Sequence, residues 1–139
     1  MSNRPDNKEE ERSTEENIES PEEVVSGFYS CYLGCNQGNE YVKSKESPGD
    51  FCVKKCDGLS EVFKQRLLRP DEVRLADMII WASDVPDIDN VTIVSAQVDS
   101  GEAVVFINFS PFWPDHRLKV YLESVSGQWE ITNVKDVIR

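Results

Sequence analysis

SPEEVVSGFYSCYLGC, residues 20–35, carries a helix start, an apolar helix face and half of a cysteine clamp. Ser20 offers a hydroxyl as N-cap, Pro21 suits the first helical position, and Glu23 stands where a capping box needs its carboxylate. Glu22 and Glu23 also lie at the positive end of the helix dipole. Val24, Val25, Phe28, Tyr32 and Cys35 then recur at spacings of three and four, which makes one face apolar. Cys31 and Cys35 stack on the same side of this helix, and Gly34, Asn36 and Gly38 supply its stop.

The other half of the clamp is Cys52 and Cys56, again four apart. The four cysteines fall between residues 31 and 56, and an even number in so tight a pattern reads as a disulfide framework. Four cysteines allow three connectivities. If both pairs lie on helices that face each other antiparallel, the pairing is nested, Cys31–Cys56 and Cys35–Cys52. Zinc is the alternative, although structural zinc sites mostly use closer C-x2-C knuckles, and reduced core thiols are a third. Disulfides place the chain in the periplasm, the cell envelope or another oxidising space.

Charge narrows the partners. The 139 residues carry a formal net charge of −11, and residues 1–23 alone hold nine acidic side chains against three basic ones. Such a chain repels nucleic-acid phosphates and anionic membrane surfaces and attracts a basic protein. Residues 1–19 read as a disordered acidic leader, followed by a single α+β domain over 20–139. The leader has no signal-peptide core. It fits what remains when a lipoprotein loses its signal and anchoring cysteine, so the expected tie to a membrane is through a removed lipid anchor.

Further along, residues 36–51 read as a loop. From Leu59 a helical pattern sets Val62, Phe63, Leu67 and Leu68 on one side. Pro70 can restart a helix whose stripe is Leu75, Met78, Ile79 and Ala82, and residues 83–89 read as a loop. Then the period changes to two. Residues 90–98, 102–110, 117–125 and 128–137 read as strands, joined at Asp99-Ser100-Gly101 and Ser126-Gly127 by tight hairpin turns. Leu118, Val120 and Leu122 point inward on the third strand. The second is apolar on both faces, as for a central strand whose uncovered side lines a cleft, a partner surface or a dimer of this chain. Helices first and a meander second make an α+β domain, its N-terminal helices packed on a curved four-stranded antiparallel sheet.

The start SPEEVVSGFYSCYLG, the run ASDVPDIDNVTIVSAQVDSGEAVVFINF and the close RLKVYLESVSGQWEITNV resemble bacterial extracytoplasmic domains of the DUF3828 type. Gly127, Trp129 and Ile131 in the closing Gly-x-Trp-x-Ile are the most telling. The resemblance spans about residues 20–137 and implies a cystatin-like, nuclear-transport-factor-2-like fold. It implies no catalytic residues.

Candidate chemistry is sparse. His116 beside Asp115 could serve as a general base, but reads first as an exposed loop residue. Phe112 and Trp113 form an aromatic turn able to close a cleft or touch a partner. Tyr29, Tyr32, Trp81, Phe106 and Trp129 are candidates to line an interior pocket. Asp84, Asp87 and Asp89 lack the glycine and distal glutamate of a calcium loop and read as solvated. No metal set, cofactor motif or nucleophile motif is present. The expectation is a non-enzymatic extracytoplasmic binding domain for a protein partner, with an immunity or inhibitor protein as one such type, or for a small apolar ligand. The alternative is a small pocket enzyme of hydrolase or isomerase type.

Overall fold

The Ser20 hydroxyl accepts from the Glu23 N–H at 3.1 Å while the Glu23 carboxylate accepts from the Ser20 N–H at 2.8 Å, closing a capping box. From this cap runs α1, Pro21–Gln37. A computed structural model describes residues 19–68, 79–81, 88–111 and 113–137, except the Tyr41 side chain. Val25, Phe28, Tyr29, Tyr32 and Leu33 are buried on one face of α1.

The segment 36–51 is not the plain loop its composition suggests. A 3-10 turn forms at Glu40–Ser44, and α2 spans Pro48–Lys55 with the Ser47 hydroxyl accepting from the Asp50 N–H. Ser47-Pro48 is the same start signal as Ser20-Pro21, hidden in polar surroundings. Two disulfides join α2 and its C-cap to α1, Cys31–Cys56 and Cys35–Cys52, each with Cα atoms 5.8 Å apart. The nested order holds the two helices antiparallel.

A short α3, Glu61–Leu67, is capped by Ser60 and buries Phe63 and Leu67. Val62 does not share that face; one position away from Phe63, it is 81% exposed. The expected helix restart at Pro70 and most of its stripe lie outside the described residues, as do Asp84 and Asp87; Ile79 is fully buried and Asp89 exposed.

The sheet is an antiparallel meander in the order β1-β2-β3-β4. Its strands are β1 (Thr92–Asp99), β2 (Glu102–Phe109), β3 (Trp113–Val125) and β4 (Gln128–Asp136). Two-residue turns at Ser100-Gly101 and Ser126-Gly127 have positive φ at both positions, the twist that matches the flanking strands. The inner face carries Val105, Ile107, Leu118, Val120, Leu122 and Ile131, all buried under the helices. Strand β3 begins at Trp113, four residues earlier than its alternation suggests, so Trp113 to His116 belong to the sheet and not to a loop. Among the described residues, the outcome is three α-helices packed against one face of a four-stranded antiparallel sheet, an α+β fold consistent with the expected cystatin-like, nuclear-transport-factor-2-like architecture.

Two expectations follow from this packing. Either disulfide alone closes most of the loop that the other closes, since only four residues on each side separate them. Replacing one pair by serine is expected to lower unfolding free energy by about 2 to 3 kcal/mol and replacing both by about 5, read by urea titration. Second, Tyr29 is fully buried and its hydroxyl donates to the Ile79 carbonyl at 2.5 Å. Burial, and then the neighbouring Tyr32, raise its pKa well above the ordinary phenol value. The unfolded chain releases this proton above about pH 10 while the folded chain retains it. Stability is therefore present below that pH and falls as pH rises past it. Tyr29→Phe is expected to cost about 1 to 2 kcal/mol at neutral pH, from the stranded carbonyl, and to flatten the alkaline fall by one proton, measured as urea midpoints against pH.

Candidate protein-binding surfaces

The residues first suspected of touching a ligand are mostly occupied in fastening residues 79–81 to the domain. The His116 ring is half-buried in β3, and its Nε2 lies 2.7 Å from the Ile80 carbonyl. A carbonyl only accepts, so Nε2 carries the hydrogen and donates. Trp81, 40% exposed, donates from its indole N–H to the Val134 carbonyl at 2.8 Å. Tyr29 holds Ile79 from the other side. Three donors thus hold a segment of three residues against α1, β3 and β4.

Trp113 packs edge-on against Phe109 and His116, with ring centroids 6.1 and 5.3 Å away. Phe112 lies outside the described residues. Tyr32 is 2% exposed and stacks on Phe28, so it belongs to the core and reaches no surface. Among the described residues, the five expected pocket aromatics do not converge on one interior space. Tyr29 and Tyr32 are core, Phe106 faces outward from the sheet, and Trp129 stands at a surface cleft. The inward positions of β2, and of β3 from Leu118 to Leu122, are apolar; His116, on the same face of β3, is the titratable side chain these strands bring to the helix side, and its ring is spent on the Ile80 carbonyl.

The cleft lies on the helix side at the β4 edge and has a volume of about 550 Å³. Val24, Phe28, Leu59 and Trp129 form its apolar part, and Glu19 and Asp57 stand at its rim. Lys55 also borders it, but its ammonium pairs with Glu40. Gly58 shapes the floor. It has φ +121°, and a Cβ there would lie 3.2 Å from the Phe28 Cβ. Its carbonyl accepts from the Ile131 N–H at 2.7 Å, and the Ser60 N–H donates to the Ile131 carbonyl at 2.8 Å, docking the 58–60 segment on β4. Asp57-Gly58 is a turn dipeptide in the sequence; what it meets across the fold is not legible there.

The second uncovered surface is the outer face of the sheet. Val104, Phe106 and Tyr121 are half-buried there, with the Lys119 ammonium 5.8 Å from the Phe106 ring centre and 5.1 Å from that of Tyr121. Among the described residues, no group of three or more His, Cys, Asp and Glu side chains is arranged to hold a metal ion, and no helix is long and apolar enough to cross a membrane.

Among solved structures, the fold is similar to one chain of the crystal structure of the type VI native effector–immunity complex Tae3–Tai3 from Ralstonia pickettii. The TM-score is 0.57 at 18% sequence identity, over 86% of this chain and 97% of that one. The likeness is one of fold. No protein-family model matches this sequence, and no curated protein does.

Gly58→Ala is expected to destabilise the domain by about 1 to 3 kcal/mol, because any Cβ is strained at that φ and crowds Phe28. Its denaturant midpoint against that of the native chain checks this.

Proposed function

We propose that the chain is a non-enzymatic, extracytoplasmic protein-binding domain of the immunity or inhibitor type, and that its partner is a basic protein. The observation that carries this reading is the cleft beside Trp129: an apolar floor rimmed by Glu19 and Asp57, on a chain of net charge −11. An aromatic floor with carboxylates at its edge suits a basic side chain whose aliphatic stem packs and whose head pairs. The cleft is open to solvent, which favours a protruding residue of a partner over a small apolar ligand. The two disulfides support a periplasmic or cell-envelope location. The fold shared with a chain of an effector–immunity complex supports the class of partner, and the DUF3828-like motifs support the same compartment.

The test compares native chain, Trp129→Ala and Asp57→Lys as baits for envelope extract of the host, followed by purification of the retained protein and measured affinities. A basic protein is expected, weakened by about 2 kcal/mol, or about thirtyfold, in each variant. Equal binding to all three baits refutes the cleft, and retention of acidic proteins only refutes the partner class.

A further inference from the structure

We infer that two copies of this chain associate face to face through the outer surface of the sheet, about a two-fold axis that lies across the strands. The inference stands on the register and not on the cleft, which lies on the helix side.

Asp99 pairs with Glu102, Glu102 with Glu123, and Glu123 with Glu130, so four carboxylates form one row across all four strands. Direct partners share a face, and Glu102 alternates with the buried Ala103 and Val105, so the row lies outward. Two same-face steps along the strands, about 13 Å away, Lys119 stands opposite Lys135. Arg117 follows one step further along β3. Between the charged rows lie Val104 and Tyr121, flanked by Gln97 and Asn133, and Phe106 shares the row of Lys119.

Like charges directly opposite each other destabilise a sheet. Neither the Lys54–Glu46 nor the Lys55–Glu40 ion pair draws on these groups. The face is therefore acidic at the hairpin end and basic toward the other, with the uncharged row of Val104 and Tyr121 between, a pattern complementary to itself when reversed. An axis parallel to the strands would set carboxylates on carboxylates. An axis across the strands reverses their direction and sets the acidic row of each copy over Arg117, Lys119 and Lys135 of the other, with the two Val104–Tyr121 rows together. One contact surface then serves both copies, as a closed two-fold dimer requires. Four strands and four rows make a face of about 500 Å² in projection. That is at the small end for a specific interface, so association is expected to depend on concentration and salt.

The full chain is examined by sedimentation velocity in low and high salt. The expected mass is near twice 15.8 kDa in low salt, falling toward 15.8 kDa as salt rises. Lys119→Glu with Lys135→Glu in one variant, and Glu102→Lys with Glu123→Lys in another, are each expected to be monomeric with unchanged far-UV circular dichroism. Mixed in equal amounts, the two are expected to recover the dimer. A native chain that stays monomeric at low salt up to its solubility limit overturns the inference. So does a dimer that both variants retain, or a mixture of folded variants that stays monomeric. Glu130 borders both surfaces, but none of the four substituted residues lines the cleft, so either proposal can fail alone.

Discussion

The nested bridges Cys31–Cys56 and Cys35–Cys52 are the constraint on which the rest of the helical layer depends. They tie a short helix of eight residues, α2, to α1, and a helix of that length has little stability of its own. With Cys56 held against α1, the chain that follows has only Asp57 and Gly58 before Leu59 enters the core. Gly58 passes hard against Phe28 and leads the backbone onto Ile131 of β4. The cleft beside Trp129 is the space left between that forced path, the outer side of α1 and the start of β4. Its shape follows from the disulfides more than from any residue that lines it.

The sheet faces two environments. Its inner side is apolar, closed by α1 and by residues 79–81, which donors from Tyr29, His116 and Trp81 fasten in place. Side chains with the look of a catalytic or binding set serve here as backbone donors, because a buried segment outside regular structure must have its carbonyls satisfied. The outer side keeps Phe106 and Tyr121 under the ammonium of Lys119, with charge segregated toward the two ends. Cleft and sheet face are therefore distinct surfaces that meet at Glu130 on β4.

Much of the architecture is written locally. The capping box at Ser20-Pro21-Glu22-Glu23, the alternation of Leu118, Val120 and Leu122, and the Ser-Gly hairpins each act over a few residues, so the sequence by itself determined the first helix, the strand order and the α+β class. Where a local signal sat in polar company, as at Ser47-Pro48, composition masked it and α2 read as loop. Only the tertiary structure decided what distant residues do. Phe28 meets Gly58, His116 meets Ile80 and Trp81 meets Val134 across separations of 30 residues or more. The row from Asp99 to Glu130 forms because three strand registers align, in pairings that each contain a bulge. Local propensity is a property of neighbours along the chain. A cleft, a fastener or a charge row is a property of neighbours in space, and packing alone chooses those.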